Sequence, residues 1–195
     1  MSKLGVFGGA FDPVHNGHTA LVKAVMKELK LAEMIVIPSY DSPLKGETPV
    51  TFADRFEMTR LAFGDTDGVS VSNIEKKLGG KSYSINTIRA LKEIRTEKDI
   101  YFIIGGDQLF TLTKWYRYEA LLKECHVTAV TRPGISYTDM QEFANGIGRI
   151  KVLNLDIPDI SSTVIRGMIG NGEDVHGLVP DSVLRYIETG GLYRD

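Results

Sequence analysis

The stretch GGAFDPVHNGH, residues 8–18, combines glycines, a proline-containing turn and two histidines at the junction of an apolar run and an amphipathic run. Glycine lets the backbone approach a ligand closely, and histidine brings hydrogen bonds and a proton-dependent positive charge. His15 and His18 stand three residues apart beside the predicted start of a helix, so both imidazoles can face one bound group. This combination of residues is suited to binding an anion.

Three interpretations of this motif are open. The histidines could simply pack and cap the helix, or they could be two ligands of a metal, although the sequence offers no third ligand at a suitable spacing. They could also bind phosphate, with backbone N–H groups and the helix dipole holding the anion. The phosphate interpretation is favoured, because it also accounts for the glycines and for the position at a strand end.

The same stretch matches neither the GxGxxG fingerprint nor a P-loop, since its glycines are spaced differently and no GKS or GKT follows. Within it, Asp12 precedes Pro13. We interpret Asp12 as the former of an Asx turn rather than as a catalytic acid.

A second informative stretch is ISSTVIR, residues 160–166. Ser161 or Ser162 suits the N-cap of a helix, whose first N–H groups are then available to an anion. Arg166 follows about one turn later and can aim its fork of donors at the same anion. Alone, the stretch could be a plain capped surface helix. Beside the histidine motif, a second helix start with an arginine predicts a polyphosphate ligand.

Four further candidates follow predicted strands, where the ligand crevice of a parallel α/β sheet lies. Lys45 and Arg132 would add positive charge there, although most such side chains are simply solvated. Trp115, the single tryptophan, could be a core aromatic or a flat stacking surface for an aromatic ring. Asp107 could cap the next helix or accept hydrogen bonds from ribose hydroxyls.

The elements that must position these residues alternate between short β-rich runs and longer amphipathic runs. We predict strands at 4–8, 34–38, 69–74, 101–105, 127–131 and 150–155, and helices at 17–31, after Thr51, after a Ser84 cap, at 115–122, 139–145, 162–168 and 180–188. This alternation indicates a parallel sheet covered on both faces. The predicted fold is therefore α/β: a single domain, 1–195, with a Rossmann-like, doubly wound, mainly parallel sheet and a small C-terminal helical part, 160–195.

Composition narrows the class of protein. The chain has 195 residues, 43% of them hydrophobic and 25% charged, and its net charge of −2 provides no global field that would attract nucleic acid or an acidic membrane. The single Cys125 cannot form an internal disulfide, and neither a signal-like N-terminus nor a membrane-spanning apolar run is present. We expect a cytoplasmic protein with no nucleic-acid or membrane partner. The sequence leaves open whether it forms a homo-oligomer.

GGxFDPxHxGH near the N-terminus with ISSTxIR near the C-terminus resembles the HxGH nucleotidyltransferase superfamily, and more closely the bacterial nicotinate mononucleotide adenylyltransferase family. The resemblance extends over nearly the whole chain through the segments RFEMTRLA, KSYS, FIIGGDQL, KWYRYEALL, TRPG, IPDISSTVIR and YIETGGLY. The Ser-Tyr pair, the tryptophan region and the length favour this family over the shorter phosphopantetheine adenylyltransferases.

The resemblance implies transfer of AMP from ATP to nicotinate mononucleotide, giving deamido-NAD and pyrophosphate, with Mg²⁺ accompanying ATP and no protein-ligated metal site. It implies that ATP is bound by Gly8, Gly9, Phe11, His15, His18, Gly105, Asp107, Ile160, Ser161, Ser162 and Arg166, of which His15, His18 and Arg166 are catalytic. It implies that the mononucleotide is bound by Lys45, Ser84, Asp107, Trp115, Tyr116 and Arg132. In this assignment Trp115 stacks on the pyridine ring, and backbone groups of Ser84 and Tyr116 receive its carboxylate.

The chain departs from the family pattern in its substrate loops. Ser84 stands where threonine is usual, Leu44 stands where histidine is common, and residues 39–41 lack an asparagine often found there. Nicotinamide mononucleotide and phosphopantetheine are therefore kept as alternative acceptors. Outside catalysis, the alternative is a nucleotide-binding module without turnover.

Overall fold

Residues 3–42, 49–95 and 99–194, which the computed structural model describes, form one parallel sheet of six strands with helices on both faces. The strands are β1 (Lys3–Gly9), β2 (Glu33–Pro38), β3 (Val69–Val71), β4 (Asp99–Gly105), β5 (His126–Val130) and β6 (Lys151–Leu153). Their order across the sheet is β3-β2-β1-β4-β5-β6. This architecture confirms the predicted doubly wound, parallel α/β fold.

The helices are α1 (Asn16–Leu29), α2 (Phe52–Phe63), α3 (Ile74–Leu78), α4 (Ser84–Ile94), α5 (Gly106–Leu109), α6 (Tyr118–Glu124), α7 (Tyr137–Ile147), α8 (Ser162–Gly170) and α9 (Asp181–Gly190). Helices α1, α2, α8 and α9 pack on one face of the sheet, and α3 to α7 on the other. A hydrophobic core lies on each face of the sheet, and successive residues of a strand pack into opposite cores. Val6 packs into the core on the face of α3 to α7, and Phe7 packs into the core on the other face. Across the described ranges, no helix has the length and apolar character needed to cross a membrane.

The chain changes faces between β1 and β4. It runs from β1 through α1 to β2 and through α2 to β3 on one face, then returns through α3 and α4 on the other face to β4. Strand β4 lies directly beside β1, with Phe7 opposite Ile103. In open α/β sheets the ligand crevice lies beyond the carboxyl ends of the strands at such a switch point. Here those ends are formed by Gly9 and Gly105.

Two helix starts differ in kind from the sequence prediction, while the bounds of most other long elements shift by one or two residues. The helix predicted to start at Trp115 begins at Tyr118, because Arg117 has a left-handed φ of 53° and the preceding residues form a 3-10 helix (Leu112–Lys114). Ser84 is the first residue of α4 rather than its cap, and Tyr83 takes the cap position.

Short elements account for the remaining differences. The sequence analysis did not predict α3 or α5, which have five and four residues. Strands β3 and β6 have three residues each and are shorter than the predicted 69–74 and 150–155. Runs this short carry too few apolar residues to show a period.

Arg55 of helix α2 joins the carboxyl ends of the first two strands. Its guanidinium Nη1 donates hydrogen bonds to the carbonyl oxygens of Ala10 and Ser39, both at 2.8 Å. Arg55 is 2% exposed. Burial is the main cause that lowers the pKa of its guanidinium, and the negative charge of Asp12 acts in the opposite direction. Arg55 therefore fixes the segments that follow β1 and β2 relative to each other.

Arg55→Met keeps an unbranched apolar stem but removes both of these hydrogen bonds. We expect the free energy of unfolding to fall by roughly 2 to 4 kcal/mol, because two partly buried carbonyls lose a charged donor. Urea denaturation followed by circular dichroism measures the change.

The matched control is Arg60→Met on the same helix. Arg60 pairs only with Glu57 on the exposed surface, at 2.7 Å, and such pairs contribute about 1 kcal/mol at most. Equal losses in the two variants would contradict the assigned role of Arg55.

Candidate functional site

The turn between β1 and α1 is built around Phe11. Phe11 is 1% exposed, has a left-handed φ of 50°, and turns its ring back over Gly9. A Cβ atom at Gly9 would lie 2.9 Å from that ring, so glycine is required there. The same ring packs edge-on against His18, with centroids 5.0 Å apart. The side chain of Phe11 thus belongs to the core and supports the histidine.

His15 and His18 lie against each other at the start of α1. Their rings are stacked with centroids 3.6 Å apart. His18 Nδ1 accepts a hydrogen bond from the backbone N–H of His15 at 3.2 Å, so the neutral imidazole of His18 carries its proton on Nε2. His15 is 4% exposed, and the buried Nδ1 of its ring has no hydrogen-bond partner within the described part of the chain.

Burial also decides the charge of His15. Desolvation, and secondly the positive charge of Arg132, lower the pKa of His15 to about 4. The fold alone therefore keeps His15 neutral near pH 7, and a bound polyanion would raise its pKa. The sequence suggested a titratable positive charge at this position; the structure provides a neutral, desolvated imidazole.

The start of α8 contacts this turn directly. Ser161 is the N-cap residue, which agrees with one of the two predicted positions. Ser162 Oγ donates to the carbonyl of Pro13 at 2.9 Å, and Arg166 Nη1 donates to the carbonyl of Asp12 at 2.7 Å. The two helix starts predicted to converge are therefore in contact, although they lie about 150 residues apart in the chain.

Asp12 differs from its interpretation as a local turn former. Its side chain is buried, and its carboxylate accepts a hydrogen bond from the hydroxyl of Tyr193 at 2.7 Å. Tyr193 packs at the edge of the core, and its hydroxyl lies on this turn.

Beside the helix starts, a cavity of about 650 Å³ opens at the carboxyl ends of β1 and β4, on the face covered by α3 to α7. Its apolar floor includes Val6, Ile37, Phe102 and Ile104. Of the predicted site residues, its wall contains Gly8, Gly9, Ser84, Asp107, Trp115 and Tyr116. The volume and the mixture of an apolar floor with a few polar groups are typical of a small-molecule site.

An aromatic wall closes one side of this cavity. Trp115 packs edge-on against Phe102, with centroids 6.3 Å apart. Tyr116 packs against Tyr83, with centroids 4.4 Å apart. Ser84 occupies the first turn of α4, where a backbone N–H has no intrahelical acceptor. An aromatic surface and free amides therefore share the wall.

The sequence reasoning missed Tyr83 and Ser82 as parts of this wall. Ser82 Oγ accepts hydrogen bonds from the backbone N–H groups of Tyr40 and Asp41, both at 3.0 Å, and so shapes the loop after β2. Glu75 also lines the cavity and accepts from the backbone N–H of Tyr40. Ser82 and Tyr83 both stand in KSYS, the segment with the Ser-Tyr pair of the family resemblance, and Tyr83 directly precedes a predicted helix start.

Asp107 and Arg132 connect the cavity with the histidines. Arg132 Nε lies 3.7 Å from Asp107 Oδ1, and both side chains are partly exposed. A Cβ atom at Gly105 would lie 2.6 Å from that Asp107 oxygen and 3.2 Å from Arg132 Nε, so the pair as it stands packs closely over the glycine. Asp107 lines the cavity, and the charge of Arg132 acts on His15.

Two predicted residues contribute less to this arrangement. Ile160 is half-buried beside the core and does not line the cavity. Lys45 lies outside the described residues. Within the described ranges, no group of three or more His, Cys, Asp or Glu side chains could hold a metal ion.

Comparison with known proteins finds a matching family and relatives that share one description. The cytidylyltransferase-like family matches residues 6–168. The chain is 35% identical, over 96% of its length and 95% of the relative's, to a protein of Thermosipho melanesiensis described as "Probable nicotinate-nucleotide adenylyltransferase". Relatives with the same description from Clostridium tetani and Exiguobacterium sibiricum are 34% and 37% identical, covering 100% and 98% of both chains.

Solved structures share the fold at lower identity. A nicotinic acid mononucleotide adenylyltransferase of Plasmodium falciparum, complexed with NaAD, superposes with a TM-score of 0.83 at 16% identity, covering 99% of this chain and 98% of its own. The same enzyme complexed with APC gives a TM-score of 0.80 at 15% identity, with the same coverage. These likenesses establish the shared fold.

Acidification is expected to destabilise the protein through His15. The ordinary pKa of histidine is 6.5 and that of folded His15 is about 4, so the unfolded chain binds a proton in this interval that the folded chain does not bind. The contribution of His15 to the free energy of unfolding is fully present above pH 6.5 and is lost as the pH falls toward 4. At about pH 4.5 the shifted pKa of this one group should lower the free energy of unfolding by roughly 2 to 3 kcal/mol. Urea unfolding of wild type and His15→Asn measures this loss.

His176→Asn is a control, because the contribution of His176 to stability depends on pH in the opposite direction. The hydrogen bond and charge of Asp174 raise the pKa of His176, so its contribution is present at low pH and is lost as the pH rises through the folded pKa. If His15→Asn lost as much free energy on acidification as the wild type, the neutral state assigned to His15 would be wrong.

Proposed function

The chain belongs to the nicotinate-nucleotide adenylyltransferase family, and from that premise we propose that it transfers AMP from ATP to nicotinate mononucleotide, giving nicotinate adenine dinucleotide and pyrophosphate in NAD biosynthesis. One observation carries this proposal beyond the family resemblance. A cavity for a small aromatic molecule and two helix starts suited to phosphates meet through Gly8, Gly9 and the turn that follows them.

The helix starts of α1 and α8 are the proposed triphosphate site. The positive dipole ends of both helices favour an anion. His18, with its Nε2 proton, and Arg166 add directed donors. Arg166 is suited to this role because its hydrogen bond to Asp12 orients its guanidinium beside the turn.

The cavity is the proposed mononucleotide site. Trp115 would stack on the pyridine ring, and the amides of Ser84 and Tyr116 would receive the pyridine carboxylate. A negative carboxylate gains more from a helix start than a neutral amide does, so we propose nicotinate mononucleotide rather than nicotinamide mononucleotide as the preferred acceptor. Asp107 and Arg132 would bind the ribose and the phosphate, and we retain Lys45 as a further phosphate ligand.

The proposed reaction is an in-line displacement. An oxygen of the mononucleotide phosphate forms a bond to the α-phosphorus of ATP while the bond from that phosphorus to pyrophosphate breaks, and the electron pair leaves with pyrophosphate. The attacking phosphate is already an anion at neutral pH, so no general base is required. The protein has to align two polyanions and stabilise the charge that accumulates on pyrophosphate.

We propose Mg²⁺ as the metal that accompanies ATP. It commonly binds through phosphate oxygens and water rather than in an all-protein cage, and the Asp12 carboxylate beside the helix starts is already engaged with Tyr193 and Arg166. When bound, Mg²⁺ supplies positive charge to the phosphates. We also propose the cytoplasm as the location, where a single cysteine without a disulfide partner in its own chain is usual.

The proposed activity is tested by pyrophosphate release with ATP, Mg²⁺ and a panel of acceptors. We expect kcat/KM to be highest for nicotinate mononucleotide, lower for nicotinamide mononucleotide and negligible for phosphopantetheine. His18→Ala should reduce kcat by about a hundredfold, the usual cost of one oriented donor to developing charge. Binding of ATP without pyrophosphate release from any acceptor would favour a nucleotide-binding module instead.

Trp115→Ala should act on the mononucleotide alone. Loss of one stacking surface is expected to raise KM for nicotinate mononucleotide about tenfold, with KM for ATP nearly unchanged. Steady-state kinetics with each substrate varied in turn measures both constants.

The control for this variant is Phe110→Ala. Phe110 is a partly exposed aromatic residue that packs against Phe143 and does not line the cavity, so both KM values should stay near those of the wild type. An equal rise in KM for ATP in Trp115→Ala would contradict the stacking assignment.

A further inference from the structure

The segment after α9 returns to the β1–α1 turn. Gly191, with a left-handed φ of 60°, ends the helix, and the backbone N–H of Leu192 donates to the carbonyl of Ile187 at 3.0 Å. Tyr193 also has a left-handed φ, 64°, which turns its ring back toward the core. Its hydroxyl donates to Asp12 Oδ1 at 2.7 Å across 181 positions of the chain.

Asp12 is contacted through both its backbone carbonyl and its carboxylate. Its carbonyl accepts from Arg166 Nη1 at 2.7 Å, and the same Nη1 lies 3.9 Å from Asp12 Oδ2. The Asp12 side chain is 5% exposed, so its charge depends on these neighbours and on Arg55 nearby. Burial, followed by the hydrogen bond to Asp12, raises the pKa of Tyr193 far above its ordinary value, so the hydroxyl remains a donor at all working pH values.

We propose that Tyr193 is a positioning residue for the triphosphate site, holding the Asp12 carboxylate so that Arg166 keeps its guanidinium beside the histidine turn. The chain of contacts runs from Tyr193 to Asp12 and from Asp12 to Arg166. Without the Tyr193 hydroxyl, the buried carboxylate would compete for the guanidinium, because it would have to find a replacement donor. The inference rests on the proposed function for its kinetic consequences, but not for the contacts themselves.

The chain contains a matched bond with no such consequence. Tyr186 of α9 donates to Asp54 Oδ1 of α2 at 3.0 Å. Both bonds join a tyrosine near the end of the described chain to an aspartate in its first third. Asp54 caps the start of α2 through Thr51 and does not contact Arg166. A purely structural role for Tyr193 would therefore resemble that of Tyr186.

The test compares Tyr193→Phe with Tyr186→Phe in the full chain. We expect Tyr193→Phe to lower kcat/KM for ATP about tenfold, as removal of a hydrogen bond to a charged group usually does, and to leave KM for the mononucleotide unchanged. Tyr186→Phe should keep both constants within about twofold of the wild type. Equal kinetic constants for Tyr193→Phe and wild type, or an equal loss in both variants, would overturn the proposal.

A double-mutant cycle shows whether Tyr193 acts through Arg166. Arg166→Lys removes the planar fork of donors. In that background Tyr193→Phe should lower kcat/KM for ATP by less than about twofold, because the interaction that Tyr193 supports is already lost. If the two substitutions instead multiplied their separate effects, Tyr193 would not act through Arg166, and the proposal would be wrong.

Calorimetry with inorganic tripolyphosphate separates this inference from the proposed function. Tyr193→Phe should weaken tripolyphosphate binding about tenfold relative to wild type and to Tyr186→Phe, whether or not the protein turns over a mononucleotide. Unchanged tripolyphosphate affinity in a folded Tyr193→Phe protein would overturn the inference and leave the adenylyltransferase proposal intact. Absence of pyrophosphate release in wild type would contradict that proposal alone.

Discussion

The hydrogen bond from Arg166 to the carbonyl of Asp12 joins two segments on which the site depends. One segment follows β1 and carries the histidines; the other begins α8 and carries the serines. Ser162 makes a second bond between them, to the carbonyl of Pro13. Because both helices begin at this contact, their positive dipole ends are brought to one region, which neither segment could achieve alone.

The site divides into a charged half and an apolar half. At the helix starts, His15 is desolvated and neutral, so Arg132, Arg166 and the helix dipoles supply positive field there, and His15 supplies none. In the cavity, the floor is apolar, and polar residues such as Ser84 and Asp107 line the wall. The Asp107–Arg132 pair lies over Gly105 between the halves. A substrate with an aromatic ring at one end and a phosphate at the other matches this division.

The features predicted from sequence were those with a local signature. Strand–helix alternation indicated the sheet, motifs at strand ends indicated that Gly8, Trp115 and Asp107 would approach one another, and the family resemblance implied Ser84; all four line the cavity. The roles assigned to them in binding remain predictions. Lys45 also remains a prediction, since it lies outside the described residues.

The features that sequence reasoning missed depend on contacts between distant segments. Nothing near Asp12 in the sequence indicates Tyr193, and nothing near Arg55 indicates that it binds the carbonyls of Ala10 and Ser39. The neutral state of His15 likewise follows from burial, which a spacing of two histidines does not report. Long-range packing, rather than residue type, decides all three.

A crystal structure with Mg²⁺ and a non-hydrolysable ATP analogue tests the shared phosphate site most directly. One triphosphate should lie between the starts of α1 and α8, with oxygens in hydrogen-bond contact with both the His18 imidazole and the Arg166 guanidinium. A triphosphate bound to one helix start alone, with packed side chains separating it from the other, would contradict the account.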